Sequence, residues 1–358
     1  MRIFYASANS PNPEFGSNLW RRNLFETLVS VGHDVVEFDY DMRTTFQNLD
    51  ASHPGQREFI AENRPKLSAE LLRQIRAAHA IQPIRLFFSY FYDACVEPTA
   101  IDEIKSLGIT TVNWFCNASF QLSLVSEIST HYDWCLVPEK FRLSDYVSLG
   151  ARPIYCQEAA NPKYYLPHDV KQKYDVTFVG QANGDRPSYI KYLYESGVDV
   201  RVWGTRWEYH VVPRSRNPLK RWFYKRPGLP ASRHGGVLSD DELVKMYSRS
   251  RINLGFSTCG ESHVDDVRIV QIRLRDFEIP MSGGFYLVEY QPELEEFFEV
   301  GKEIECYRDQ EELLDKCRFY LRNDVARDKI RTAGRNRCLR DHTWKHRFET
   351  SFEAMGLQ

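Results

Sequence analysis

At 358 residues the chain exceeds one ordinary domain, and two domains of common size fit it best. A hydrophobic share of 42% supplies enough apolar surface for two cores, while a net charge of −2 and a pI near 6.6 exclude whole-protein attraction to nucleic acid or anionic lipid. No apolar run approaches the roughly 18 residues a membrane span needs, and Met1-Arg2-Ile3-Phe4-Tyr5 has no signal-peptide layout, so a cytoplasmic protein is expected.

The first half alternates strand and helix patterns. Residues 2–8 form a buried-type run, 9–16 a Pro/Gly/Asn loop, and Leu24, Leu28 and Val31 mark a helix that stops at Gly32. A strand over 34–40, a helix over 66–80, a strongly apolar run over 84–92, a helix over 98–107 ending at Gly108 and a strand over 109–115 follow. Leu136 and Val137 belong to one more strand. Such alternation reads as a parallel sheet with helices on both faces. Ligands bind beyond the carboxyl ends of such strands, which are here 9–17, 92–95 and 116–119.

Residues 157–170, rich in Pro, Asn and Tyr and without periodicity, are the candidate linker. A second series then runs through a strand at 176–179, a helix at 188–195 and a strand at 198–203. Ser239-Asp240-Asp241-Glu242 is a capping box that opens a helix over 240–248, before a strand at 252–256. From Val267 on, Val267, Val270, Leu274, Phe277 and Met281 fall at helical spacing, with Arg268, Gln271, Arg275, Glu278 and Ser282 beside them. Gly283-Gly284 ends this helix, Pro280 kinks or shortens it, and a strand at 285–288 follows. Helices at 311–321 and 325–341 and one after Asp341 close the chain. Trp344, Phe348 and Phe352 give the last helix an apolar stripe, expected to pack against the first sheet's helices and to act as part of the hinge. The expected domains are 1–160, 161–340 and the terminal helix 341–358.

The cysteines show no C-x-x-C spacing and no H-E-x-x-H signature occurs; His342 and His346, four apart on a basic terminal helix with no acid partner, read as surface or packing residues. Residues 213–236 carry Arg214, Arg216, Lys220, Arg221, Lys225, Arg226 and Arg233 around Trp222-Phe223-Tyr224. This reads as a solvated loop or as a contact for an anionic acceptor.

Arg275 and Glu278 share one helix face. The guanidinium suits a diphosphate and the carboxylate suits the vicinal hydroxyls of a ribose; the plain alternative is a surface ion pair. The loop from Gly180 to Arg186, between a strand and a helix start, suits phosphate and is neither a Walker loop nor a dinucleotide fingerprint. Ser257 to His263, with Glu261, offers hydroxyls and amides at another expected helix start.

Arg275-x-Phe277-Glu278, the glycine pair, the apolar strand and the acidic helix after it resemble the donor-binding half of GT-B glycosyltransferases, most of all the group with the CgeB-type spore-maturation proteins. The likeness extends through Asn161-Pro162-Lys163-Tyr164-Tyr165, Gly301-Lys302-Glu303, Tyr307-Arg308-Asp309 and His342-Thr343-Trp344. The resemblance implies an α/β GT-B fold: two facing Rossmann-like domains, a cleft between them, and a C-terminal helix crossing back. It implies transfer of a sugar from a nucleotide-diphosphate sugar, bound by the second domain, to an acceptor sugar, protein or small molecule. The expected donor residues are Gly180, Arg186, Ser257, Glu261, Arg275, Glu278, Ser282, Gly283 and Gly284; the acceptor-side residues are Gly16, Ser17 and Asn117. Asp93 is the candidate general base, ahead of Glu97, with helix capping as its other reading, and Arg275 stabilises the leaving group. Many retaining relatives carry a glutamate where this chain has Val270, which leaves that role to Glu261 or vacant and the stereochemistry open.

No Asp-x-Asp lies in an acidic loop of the kind that holds a metal-bound diphosphate, so a metal-independent reaction without a cofactor other than the nucleotide-sugar co-substrate is expected, with no nucleic-acid partner. The competing readings are a nucleotide-sugar epimerase of the same fold and a catalytically silent nucleotide- or partner-binding protein.

Overall fold

The structure, a computed structural model, describes residues 1–8, 17–209, 211–212, 229–264 and 267–357. The chain forms two compact units, Met1–Asn161 with Trp344–Gln358, and Pro162–Thr343.

The first unit is built on a six-stranded parallel sheet of β1 (Arg2–Ala6), β2 (Asp34–Glu37), β3 (Leu86–Ser89), β4 (Thr110–Trp114), β5 (Trp134–Val137) and β6 (Pro153–Tyr155), ordered β2-β1-β3-β4-β5-β6. Central strands read as near-continuous apolar runs because both faces are covered; Ile3, Phe4, Tyr5, Leu86, Phe87 and Phe88 are all fully buried. Register is set by pairs such as Ile3 with Leu86 and Phe88 with Val112. Gly108 takes φ +77° at the turn between a helix and β4, a conformation that L side chains rarely adopt.

One helix is much longer than its apolar spacing suggests. It runs over Pro54–Ile81, 28 residues with Pro65 inside, rather than over 66–80. Before Leu67 only Ile60 is buried, so the first turns leave no apolar period to read, and Pro65 within them argues locally against a continuous helix. The helix Leu143–Leu149 and β6 also escape that reading.

The terminal helix Trp344–Ala354 is part of the first unit. Trp344 meets Trp114 edge-on at 5.3 Å between ring centres, and Phe348 meets Phe88 at 5.7 Å. Arg347 Nε donates to the Gln157 carbonyl at 3.1 Å. Just before this helix, His342 is buried in the second unit, its Nε2 2.7 Å from the Phe297 carbonyl oxygen and its ring beside Phe277, Phe297 and Phe298. It is a packing residue.

The second unit carries β7 (Tyr174–Val179), β8 (Val200–Trp203), β9 (Val211–Val212), β10 (Leu229–Pro230), β11 (His234–Gly235), β12 (Ser250–Gly255), β13 (Thr258–Val264), β14 (Val267–Val270), β15 (Tyr286–Glu289) and β16 (Glu305–Tyr307). Six of them form a parallel sheet ordered β11-β8-β7-β12-β15-β16. The Ser239 hydroxyl accepts from the Glu242 amide at 3.4 Å and opens the helix Asp240–Arg249. Both units are Rossmann-like α/β layers, the architecture of GT-B proteins. Among the described residues no helix is long and apolar enough to cross a membrane. The cysteines other than Cys259, whose side chain is outside the description, are buried and unbridged.

Trp344 is fully buried, so Trp344→Ala should cost about 3–5 kcal/mol of first-unit stability, read by urea denaturation. A midpoint equal to that of the parent chain would show that the helix is an appendage.

Candidate functional site

The helix that carries Arg275 and Glu278 starts at Leu274, not at Val267. Residues 267–270 are β14, paired antiparallel with β13, so Arg268 and Gln271 do not share the helix face of Arg275. The run Val267-Arg268-Ile269-Val270 is β-branched at three of four places and suits period two as well as period 3.6. Ser257 to His263 is correspondingly not a loop at a helix start: from Thr258 on it is the first strand of this hairpin.

Leu274–Met281 spans eight residues, and all but Arg275 are buried. Its polar members must therefore find partners within the protein. The Asp276 carboxylate accepts from the Arg273 amide at 2.8 Å and from the Tyr286 hydroxyl at 2.6 Å. Burial pushes the Asp276 carboxyl up to about 6, against the lowering effect of those two hydrogen bonds. At the other end, the Gly283 amide donates to Pro280 and the Gly284 amide to Ile279, with Gly283 at φ +71°. That bond pattern is a Schellman cap, and it ends the helix one residue after Pro280. Arg331 and Arg335 add hydrogen bonds to the Gly283 and Met281 carbonyls. The amides of Ser282, Gly283 and Gly284 are thus engaged in closing the helix, while the buried Ser282 hydroxyl has no hydrogen-bond partner among the described residues.

Arg275 lies in the first turn, at the carboxyl edge of the sheet. One Nη donates to the Val179 carbonyl at the end of β7, and Nε lies 3.9 Å from Glu278 Oε2. Gly180 is next to it: a Cβ there would stand 3.1 Å from Arg275 Nη1 and 2.6 Å from the Phe178 ring, so a glycine lets the guanidinium reach the strand end. Glu278 is 2% exposed and accepts from the Tyr247 hydroxyl at 3.1 Å. Burial raises the Glu278 carboxyl above its usual range, against Arg275, Tyr165 and Tyr247, which lower it. This is no surface ion pair.

The other expected donor residues divide. Arg186 is 7% exposed, with Nη1 and Nη2 donating to the carbonyls of Gln181 and Thr258 at 3.1 and 2.9 Å; it ties the loop after β7 to the start of β13. The Gly180 and Ala182 amides are likewise engaged, with Trp203 and Thr205. The Ser257 hydroxyl donates to the Glu289 carbonyl at 2.7 Å. Glu261 lies in β13, and its side chain is outside the description.

Two residues at this edge were not singled out from the sequence. Glu289 ends β15 at 2% exposure and accepts from the amides of Ser257 and Thr258 and from the Thr258 hydroxyl at 3.1–3.3 Å, with Arg268 as its cation. The available signal was an acid closing a buried strand. Arg273 donates to the Thr258 carbonyl at the foot of the helix, so Arg273 and Arg275 both stand near its amino end.

In the first unit, Asp93 accepts from the amides of Glu127 and Ile128 at 3.3 and 3.0 Å, a helix-capping arrangement. Burial holds its carboxyl up to about 6, against those two hydrogen bonds. Asn117 precedes the short helix Ala118–Gln121 after β4, and the Ser17 hydroxyl accepts from Leu19 N at 3.2 Å. Gly16 and residues 213–228 of the basic stretch lie outside the described residues.

Truncating Glu289 strands buried donors together with Arg268. Because Arg268 is itself solvent-exposed, Glu289→Ala should cost about 1–3 kcal/mol in chemical denaturation, the penalty of the stranded donors. A loss under about 1 kcal/mol would show that the turn at 257–258 is held by something else.

Residues 188–353 match the model of a family described as glycosyl transferase-like. No curated protein matches the sequence. Among solved structures, the chain is similar to sucrose-phosphate synthase from Thermosynechococcus elongatus at a TM-score of 0.63 and 14% identity, over 100% of this chain and 99% of that one. It is similar to HepE from Anabaena in complex with UDP-glucose at 0.62 and 10%, over the full length of both chains. A glycosyltransferase from Rickettsia africae matches at 0.57 and 11%, over 99% and 97%. The chain therefore has the GT-B architecture, and a segment spanning just under half of its length, residues 188–353, matches the glycosyl transferase-like model.

Proposed function

We propose that the protein transfers a sugar from a nucleotide-diphosphate sugar to an acceptor, with the donor held by the second unit and no metal ion required. One observation carries the reading: Arg275, in the first turn of a buried helix, docks on the end of β7 against Gly180, with Glu278 beside it at 3.9 Å. A guanidinium at a helix amino end meets the two negative charges of a diphosphate with fixed, partly buried positive charge. In this reading Arg275, with Arg273 beside it, carries the charge that builds on the leaving diphosphate as the glycosidic bond breaks. Glu278 orients Arg275 and accepts from the ribose hydroxyls. Ser17 and Asn117, at the carboxyl edge of the first sheet, contact the acceptor.

The solved complex of the HepE neighbour with UDP-glucose supports a nucleotide-sugar donor.

A thermal-shift screen of UDP, GDP, CMP, TDP and ADP sugars identifies the donor, since a ligand at a hundred times its Kd stabilises by about 2.7 kcal/mol. With that donor, Arg275→Ala and Glu278→Ala should each weaken binding by about 1.5–3 kcal/mol in calorimetry. Unaltered affinity in both variants would remove the assignment. Free nucleotide with a glycosylated product supports transfer, whereas a new sugar-nucleotide isomer identifies an epimerase and binding without turnover a silent protein.

Activity should also survive excess EDTA. Its complete loss, restored by manganese or magnesium, would contradict the metal-independent step.

A further inference from the structure

At the carboxyl edge of the first sheet, Glu139 stands two residues beyond β5 and is 3% exposed. Its Oε1 accepts from the Ser119 amide at 3.4 Å, while Oε2 is buried with no hydrogen-bond partner among the described residues. Arg142, on the same segment, donates through Nη2 to the Ser119 carbonyl at 2.6 Å and is itself held by Asp145 at 2.7 Å. Both backbone groups of Ser119 are therefore gripped from the end of β5. A buried carboxylate is costly to keep, and packing alone would be served as well by an apolar residue. Asp93 offers a contrast, because each of its oxygens accepts a backbone amide that caps another segment.

We propose that Glu139 is a positioning residue for the acceptor: with Arg142 it fixes residues 117–119 after β4, so that Asn117 meets the acceptor in one orientation. The inference rests on the transfer reaction proposed above and on the first unit supplying the acceptor side. Glu139 is also set to titrate near neutrality. Burial pushes its carboxyl up to about 7, against the amides of Ser119 and Ala118 and the charge of Arg142. The groups facing it are Cys116 after β4, which Glu158 after β6 also faces, and Arg142 and Tyr146 beyond β5. Above that pH the carboxylate grips the amides through charge-assisted bonds; below it the neutral acid grips them less. Acceptor KM should therefore rise as pH falls through about 7.

The test uses the full chain with the donor and acceptor on which the wild type transfers. Rates against acceptor concentration are compared for wild type, Glu139→Gln and Glu139→Asp from about pH 5.5 to about pH 8.5, with donor Kd measured alongside. Glu139→Gln should raise acceptor KM about tenfold at high pH, leave donor Kd within about twofold, and abolish the pH dependence of KM. Glu139→Asp, which keeps the charge, should retain that dependence at a raised KM, and it decides the matter if the Gln variant does not fold. Unchanged acceptor KM in a folded Gln variant, or a wild-type KM flat with pH, overturns the positioning role while transfer itself stands. No transfer by the wild type with any donor overturns both.

Discussion

Everything at the second unit's carboxyl edge depends on one constraint: the helix Leu274–Met281 is buried, yet it carries Asp276, Glu278 and Arg275. Removing a charge from water is expensive unless hydrogen bonds and opposite charge replace the solvent. Here Tyr286 and the Arg273 amide serve Asp276, Tyr247 serves Glu278, and the Val179 carbonyl holds Arg275. Each partner comes from a different element, so the helix can occupy only one position against the sheet. The same bonds that make its burial tolerable fix the guanidinium at the end of β7. In the proposed reaction this is preorganisation, because the positive charge does not have to move when the diphosphate leaves.

A related design recurs around that helix. Glu289 gathers the amides at 257–258, and Arg186 ties the loop after β7 to β13. These contacts use groups that would otherwise face a phosphate, which narrows the direct donor contacts to fewer side chains than a list of polar edge residues suggests. In the first unit, Glu139 and Arg142 hold Ser119 in the same manner. Buried charge at the carboxyl edge of each sheet fixes the loops there, and in the proposed reaction those loops carry the chemistry.

The α/β fold was legible because its central strands are continuous apolar runs separated by helices that stop at glycines such as Gly32 and Gly108. The glycine pair at 283–284 was legible for a similar reason, since a left-handed cap has a residue signature. The β13–β14 hairpin was not. Val267 and Val270 satisfy the helical period with Leu274 and Phe277, and nothing local shows that the chain turns between them. The early turns of the helix Pro54–Ile81 were hidden by polarity, because an exposed helix has no apolar face to announce it. Glu139 and Glu289 went unread for a different reason: a lone acid after a strand looks the same whether it caps a turn, faces water or holds a buried loop. Only three-dimensional neighbours separate these cases. Arg275 and Glu278 could be paired from the sequence because they share one helix turn, whereas their placement depends on Val179 and Tyr247, distant in sequence.

The central claim is that Arg275 and Glu278 act as one unit on a nucleoside diphosphate. A double-mutant cycle on its binding, with Arg275→Ala, Glu278→Ala and the pair measured by calorimetry, tests this most directly. The account predicts losses that fall short of additivity by about 0.5–3 kcal/mol, because removing Glu278 already frees the guanidinium from its set position. Losses that add to within about 0.3–0.5 kcal/mol would contradict it.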